Sequence, residues 1–276
     1  MAALLLKQKL NKLKKALQSY KKVLVAYSGG VDSSFLLKCC SMYLGRAVLA
    51  VTAVSPTYTN KELRAAKQTA RDLGVACKII HTAEVGNPQF SSNPPDRCYH
   101  CKKELFSKLK ALAIKEHISF ILDGSNLDDL KDYRPGAKAK EEFGVRSPLA
   151  EAGLTKEEIR KLSKKFGLKA WDAPAASCLA SRFAYGQNIT VQDLARIEKG
   201  EEYIRKRGIK MARLRHYRLS DGSLLARIEV GKKDINKISD CRFQIADCIK
   251  KLGYDYVTLD LEGYRTGSMN EALRRR

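Results

Sequence analysis

The chain has 276 residues, of which 44% are hydrophobic, so it can build a core and is not globally disordered. Lys and Arg number 52 against 30 Asp and Glu, a formal net charge of +22 that points to nucleic acid, an anionic membrane or small acidic substrates. Residues 1–22 hold seven lysines and no acidic residue, and the remaining positive charge is dispersed.

The sequence carries no pattern typical of export or membrane insertion. The apolar opening is interrupted at Lys7, too early for the core of a signal peptide, and no apolar run approaches the 18 residues or so that a membrane span needs. We therefore expect a cytoplasmic protein without a membrane partner. Its eight cysteines are then expected as reduced thiols.

Up to Gly167 the chain alternates between helix and strand patterns. Helices are predicted over residues 4–20, 33–45, 59–74, 99–117 and 156–167, and strands over 21–28, 47–55, 75–82 and 118–125. The first helix is amphipathic and basic. Strands and helices that alternate at this rate predict an α/β domain with a doubly wound parallel sheet.

After Gly167 the pattern changes to α+β. A loop is predicted over 171–188, helices over 190–207 and 233–252, and strands over 210–218, 223–230 and 254–261. We place the domain boundary near 172–187. The domains are then residues 1–175 and a smaller one of residues 187–276.

The segment YSGGVDSS joins the first strand to the following helix, where doubly wound folds bind phosphates. Its glycines permit a close approach, its hydroxyls donate hydrogen bonds, and its aspartate could hold Mg²⁺. The segment matches neither G-x-x-x-x-G-K-[ST] nor G-x-G-x-x-G. An ordinary strand-to-helix turn is the alternative. The predicted phosphate ligands are Ser28, Gly29, Gly30, Asp32, Ser33 and Ser34.

A second polar segment, LDGSNLDDLKDYRPG, follows the fourth predicted strand. Its carboxylates suit Mg²⁺ beside a triphosphate, and its arginine suits phosphate oxygen. A solvated turn is the alternative interpretation. The candidate residues are Gly124, Asp128, Asp129, Asp132 and Arg134.

Three cysteines stand apart from the rest. Cys98 and Cys101 form a C-x-x-C pair where a helix is predicted to start, and Cys178 lies in a loop of small residues. Three thiolates with one vacant position fit a [4Fe–4S] cluster with an open iron better than closed zinc. Packing is the role expected for the remaining five, Cys39, Cys40, Cys77, Cys241 and Cys248.

Two arginines mark the smaller domain. Arg213 and Arg215 are two residues apart in a predicted strand, so they share one face and suit a phosphate or carboxylate. Glu201 or Glu202 on the preceding helix could orient them. A solvated strand face is the alternative.

S-G-G-x-D-S after the first strand resembles the pyrophosphate loop of the PP-loop enzymes, which split ATP into AMP and pyrophosphate. That resemblance implies that the adenine lies near Thr52 to Ser55. The motifs SGGVDSS, PDRCYHCKKELF, DGSNLDDLKDYRPG, ASCLASRFAYG, the R-x-R strand and YVTLDLEGYRTGSMN resemble, in this order, the LarE-type sulfur transferases. The similarity covers about residues 20 to 270.

The resemblance implies a substrate and a mechanism. LarE-type enzymes adenylate a carboxylate of pyridinium-3,5-biscarboxylic acid mononucleotide and replace its oxygen with sulfur, in building the nickel-pincer cofactor of lactate racemase. By resemblance, Cys178 is the sulfur-bearing cysteine and, with Asp32, catalytic. Arg213 and Arg215 then bind the substrate phosphate, and Ser181, Arg182 and Glu201 belong to the same pocket.

The three thiols together resemble the cluster-bearing branch of the family, with Cys98, Cys101 and Cys178 as ligands. In that branch Cys178 would be a ligand and not the sulfur donor. The expected cofactors are ATP, Mg²⁺ and a [4Fe–4S] cluster. The expected partners are the anionic mononucleotide and sulfide or another sulfur source, in a homo-oligomer without nucleic acid. The alternatives are a PP-loop tRNA thiolase and a non-enzymatic metal-binding module.

Overall fold

A computed structural model describes residues 2–131, 135–173 and 177–271. The chain divides into two compact units. The first comprises Met1–Glu84 and Cys98–Ala176, and the second comprises Val85–Arg97 and Ser177–Arg276. The predicted first domain includes residues 85–97, whereas the structure groups this Ser-, Asn- and Pro-rich segment with the second unit.

The elements of the first unit follow the predicted alternation. In chain order they are α1 (Ala2–Gln18), β1 (Val23–Ala26), α2 (Val31–Leu44), β2 (Val48–Val54), α3 (Asn60–Asp72) and β3 (Ala76–His81). A short helix of the second unit, α4 (Pro88–Ser91), comes next, followed by α5 (Arg97–Lys115), β4 (Phe120–Leu122), α6 (Gly136–Glu142), α7 (Pro148–Glu151) and α8 (Lys156–Lys165).

The four strands pair in the order β3-β2-β1-β4, and every pair is parallel. Neighbouring residues of β1 point to opposite faces, so Val23 and Val25 pack in one hydrophobic core and Leu24 in another. Helices cover both faces, which confirms the predicted α/β class with a doubly wound parallel sheet. β1 lies between β2 and β4, so the loop after β1 sits at the switch point where such sheets bind ligands.

α1 is part of the first unit's core and does not extend from it as a free arm. Leu13 and Leu17 are fully buried in that core. The Nζ of Lys9 donates to both carboxylate oxygens of Glu158, at 2.8 and 2.9 Å. Glu158 also closes the capping box of α8, because its carboxylate accepts a hydrogen bond from the Thr155 backbone.

The second unit contains a three-stranded sheet with helices. Its elements are α9 (Val191–Lys206), β5 (Ala212–Arg218), β6 (Leu224–Val230), α10 (Ile235–Asp240), α11 (Arg242–Lys251) and β7 (Tyr256–Leu259). β6 pairs antiparallel with β5 and parallel with β7. This confirms the separate smaller sheet. The single helix predicted over 233–252 is wrong, because two helices, α10 and α11, meet at Cys241.

No helix in the described part of the chain is long and apolar enough to span a bilayer.

Truncating Leu17 tests how much α1 contributes to stability. Leu17→Ala removes a fully buried side chain, so we expect the free energy of unfolding to fall by about 2–5 kcal/mol. Leu5→Ala is the matched control, since Leu5 lies on the same helix and is 53% exposed. Urea denaturation measures both, and equal losses would contradict the buried packing of α1.

Candidate active site

The loop from Tyr27 to Val31 joins β1 to α2 and is tied to its surroundings by hydroxyl groups. Ser28 Oγ and Ser33 Oγ lie 3.1 Å apart, and Ser33 Oγ donates to the Gly30 carbonyl at 3.1 Å. Thr52 Oγ1, on the buried end of β2, donates to the Tyr27 carbonyl at 2.8 Å. The predicted residues Ser28, Ser33 and Thr52 are therefore gathered at one place.

Two glycines let backbone segments approach this loop closely. Gly29 has φ +73°, and a Cβ there would lie 2.9 Å from the Cβ of Ala66. A Cβ on Gly124 would lie 2.8 Å from the Ser33 amide nitrogen and 2.9 Å from its Cα. Gly124, which follows β4, thus lies directly against the first turn of α2, whose amide groups favour anions.

Asp32 lies in the first turn of α2 and forms an ion pair with Lys156, the first residue of α8. Burial raises the pKa of Asp32 above its ordinary value, and the Lys156 ammonium opposes that shift only in part. The other oxygen, Oδ1, is buried without a hydrogen-bond partner among the described residues. Such an orphaned oxygen fits a carboxylate that accepts a cation together with a triphosphate.

The other predicted Mg²⁺ ligands are engaged in local hydrogen bonds. Asp128 Oδ2 accepts from the Lys156 amide at 2.8 Å, and Asp129 Oδ2 accepts from the Asn126 amide at 3.0 Å. Asp132 and Arg134 lie outside the described residues. Within the described part of either unit, no three His, Cys, Asp or Glu side chains are grouped as metal ligands.

A cavity of about 680 Å³ opens over this loop, within the first unit. Apolar side chains from the ends of β1 and β2, with Leu105 of α5, form part of its wall. Its polar lining includes Ser28, Asp32, Ser55, Thr57, Glu84, Asp128, Asp129 and Lys156. Cys101 and Lys102 of α5 line the same cavity, so a thiol and the phosphate-type loop face one space.

A hydroxyl-carboxylate group stands beyond β2 and β3 on the cavity wall. Glu84 is only 2% exposed, and its Oε1 accepts from Ser55 Oγ at 2.5 Å and from Thr57 Oγ1 at 2.9 Å. Its Oε2 has no hydrogen-bond partner in the described chain.

The cysteines separate by environment. Cys98 and Cys178 are exposed and Cys101 is half-buried, with Cys98 and Cys101 one turn apart at the start of α5. Cys39 and Cys40 are fully buried, and burial raises the pKa of Cys39 to about 12. The structure therefore places the three predicted ligands where their sulfurs are accessible, two in the first unit and Cys178 in the second.

In the second unit, Cys178 precedes a 3₁₀ turn over Leu179–Arg182 that carries a buried guanidinium. Arg182 makes a bidentate ion pair with Glu201, at 2.8 and 3.1 Å. Its Nη1 donates to the carbonyls of Ser177 and Cys178, at 2.8 and 3.1 Å, and to Ser181 Oγ at 2.9 Å. This guanidinium therefore fixes the backbone on both sides of the Cys178 thiol.

Glu201 is 1% exposed and holds the Arg182 guanidinium from within the unit. Burial alone would raise the pKa of Glu201, but Arg182 and Arg213 outweigh it and hold that pKa below its ordinary value. Glu202, the other residue considered for this role, is exposed on α9 and pairs with Lys206.

Arg213 and Arg215 lie on one face of β5, as their spacing predicts. Arg213 Cζ stands 5.5 Å from the ring centroid of Tyr264. Arg215 donates to Glu229 Oε2 at 2.6 Å and to the Ser181 carbonyl at 3.0 Å. Glu229, fully buried on β6, also pairs with Arg227 at 3.2 Å. Buried guanidiniums anchored by carboxylates form a surface suited to a phosphate or carboxylate.

The sequence analysis missed three charged residues of these sites: Lys156, Glu84 and Glu229. Lys156 begins a helix and Glu84 follows a strand, positions at which charged residues are commonplace. Glu229 could have been inferred from a hairpin register that places it opposite Arg213, had the turn between β5 and β6 been fixed in advance.

Known proteins resemble this chain over part or nearly all of its length. Residues 4–103 match the NAD synthase family, whose members carry the PP-loop fold. An uncharacterized protein of Synechocystis sp. is 41% identical over 271 residues, which are 98% of this chain and 99% of that protein.

Two further relatives also cover almost the whole chain. Pyridinium-3,5-bisthiocarboxylic acid mononucleotide synthase of Lactiplantibacillus plantarum is 36% identical over 94% of this chain and 92% of its own length. An uncharacterized protein of Methanocaldococcus jannaschii is 33% identical over 94% and 98%, respectively. Identity at this level over this length shows common descent and a shared fold. The chain therefore belongs to the LarE family of PP-loop enzymes, which are ATP-dependent sulfur transferases.

Proposed function

We propose that this protein adenylates a carboxylate of pyridinium-3,5-biscarboxylic acid mononucleotide with ATP and converts it to a thiocarboxylate. The product would serve synthesis of the nickel-pincer nucleotide cofactor of lactate racemase. The similarity to a pyridinium-3,5-bisthiocarboxylic acid mononucleotide synthase supports this substrate. The relative from Lactiplantibacillus plantarum is named as a mononucleotide synthase, which favours this substrate over the tRNA of a thiolase.

One observation carries the proposal. The loop Tyr27–Ser33 and the thiol-bearing Cys101 line the same cavity of about 680 Å³. This supports a site at which ATP activation and sulfur chemistry would occur side by side.

In the first step, a substrate carboxylate oxygen attacks the α-phosphorus of ATP and pyrophosphate leaves. The α2 amide groups and the loop hydroxyls hold the departing pyrophosphate, and Lys156 supplies a positive charge beside it. Asp32, with its orphaned Oδ1, would hold Mg²⁺, which neutralises phosphate charge when bound. Adenylation is required because a free carboxylate repels nucleophiles and lacks a leaving group.

In the second step, a sulfur nucleophile attacks the carbonyl carbon of the acyl-adenylate, and AMP leaves with the carboxylate oxygen. The accessible thiols of Cys98, Cys101 and Cys178 fit the donor set of an iron–sulfur cluster, since thiolates are its protein ligands. A bound [4Fe–4S] cluster with an open iron would supply an exchangeable sulfide. Arg182 would hold the Cys178 backbone in place.

The substrate phosphate would bind the guanidiniums of the second unit. Burial and the adjacent Arg182 lower the pKa of Arg213, and a bound dianion would offset this crowding of positive charge. The Arg215 guanidinium is held by hydrogen bonds to Glu229 Oε2 and to the Ser181 carbonyl.

Lys156→Met tests the cationic partner of the leaving pyrophosphate. We expect kcat/KM for ATP-dependent AMP formation to fall about 100-fold, because one positive charge is lost from the transition state. Lys161→Met, an exposed position on the same helix, serves as control and is expected to keep near-wild-type activity. Equal rates for both variants would remove Lys156 from the mechanism.

Gly124→Ala tests the close approach to α2. The added Cβ would meet Ser33 backbone atoms within 3 Å, so the loop must shift, and we expect a roughly 10- to 100-fold loss of kcat/KM for ATP. Gly86→Ala is the control, since no atom lies within 4 Å of its Cβ position. Unchanged kinetics in Gly124→Ala would show that the loop tolerates displacement.

Anaerobic purification with iron and sulfide analysis tests the cysteine set. We expect about four iron atoms per chain in the wild type and loss of iron in Cys98→Ala, Cys101→Ala and Cys178→Ala. Cys248→Ala, on α11, is the control that should retain iron. If the wild type contains no iron and Cys178 loses its sulfur after one turnover, the cluster proposal is contradicted and Cys178 is itself the sacrificial sulfur donor.

A further inference from the structure

Glu84 is a buried carboxylate that the proposed mechanism does not use. It lies three residues beyond β3 and lines the cavity described above. Its Oε1 accepts two hydroxyl hydrogen bonds, and it is 2% exposed. Burying a carboxylate is costly unless it is hydrogen-bonded, and Glu84 Oε2 has no such partner among the described residues.

Glu84 and its two partners form a closed triangle of oxygen atoms. Ser55 Oγ and Thr57 Oγ1 each reach Glu84 Oε1, and they lie 2.8 Å from one another. Each hydroxyl has a single hydrogen. Either both hydroxyls donate to Glu84 Oε1, or one donates to the other hydroxyl, which then donates to Glu84, so in both cases the two hydrogens are used within the triangle. The hydroxyls therefore offer only lone pairs to a ligand, and one lone pair of Ser55 Oγ is already taken by the Thr57 amide at 3.1 Å.

The sheet order sets how far the Ser55 and Thr57 hydroxyls lie from the loop after β1. Ser55 and Thr57 follow β2, which lies one strand spacing, about 5 Å, from β1, and Glu84 follows β3, about 10 Å from β1. With its pyrophosphate on that loop, ATP must send its base away from the loop. Val51, Ala53 and Leu105 line the cavity and supply apolar surface for a purine ring.

We infer that Glu84 is a positioning residue that selects adenine, by fixing the Ser55 and Thr57 hydroxyls as acceptors for the exocyclic amine of the base. A purine with a carbonyl at that carbon would place an acceptor against acceptors. This inference rests on the proposed use of ATP and extends it to the choice of nucleotide.

The test compares the dissociation constants of Mg–ATP and Mg–ITP by titration calorimetry on the full chain. ITP carries a carbonyl where ATP carries the amine. We expect the wild type to prefer ATP at least tenfold and Glu84→Met to reduce that preference to about threefold or less, because the freed hydroxyl hydrogens can then serve a carbonyl. Ser55→Ala, at a half-buried position, should also reduce it.

The controls separate base recognition from general damage. Glu157→Met makes the same substitution at an exposed site on α8 and should keep the wild-type preference. The ratio of ATP to 2′-deoxy-ATP affinity should not move in Glu84→Met. An unchanged ATP-to-ITP ratio in both Glu84→Met and Ser55→Ala, or a shift in the deoxy ratio instead, would overturn the inference. A wild type that binds neither nucleotide would overturn the proposed function with it.

Discussion

The candidate active site depends on two close approaches that only glycine permits. Gly124 lies against the first turn of α2, and Gly29 lies against Ala66. A Cβ on either glycine would lie less than 3 Å from an atom of its neighbour. These contacts hold the carboxyl ends of β1 and β4 and the start of α2 in one arrangement. The placement of Asp32 beside Lys156, and of the cavity above them, follows from this approach.

Charge in the second unit is organised by burial. Glu201 and Glu229 lie almost fully within the unit and anchor the guanidiniums of Arg182 and Arg215. Breaking such pairs is costly because it strands a buried charge, so each carboxylate fixes where its arginine points. These two pairs neutralise part of the positive charge of the second unit within its interior.

Local patterns predicted the elements well, because strand composition, glycine stops and caps act over a few residues. The loop after β1 could be assigned for the same reason. The ends of the elements were predicted less accurately. The strand predicted over 118–125 is only Phe120–Leu122, because the Asp123 amide donates a hydrogen bond to the Arg146 carbonyl. The helix predicted over 233–252 breaks at Cys241.

Long-range partners could not be predicted from the sequence. Lys156 reaches Asp32 across 124 positions, and Glu84 reaches Ser55 from a different strand. Nothing near either residue in the sequence distinguishes it from a surface charge. Such pairings arise only when the sheet order brings the carboxyl ends of separate strands together.

The Lys9–Glu158 pair links the lysine-rich first helix to α8, the helix that begins with Lys156. Glu158 caps the turn that begins with Lys156, so α1 braces the residue that faces the cavity without touching the cavity itself. A displacement of α1 would therefore reach the Lys156–Asp32 pair through Glu158 and the first turn of α8.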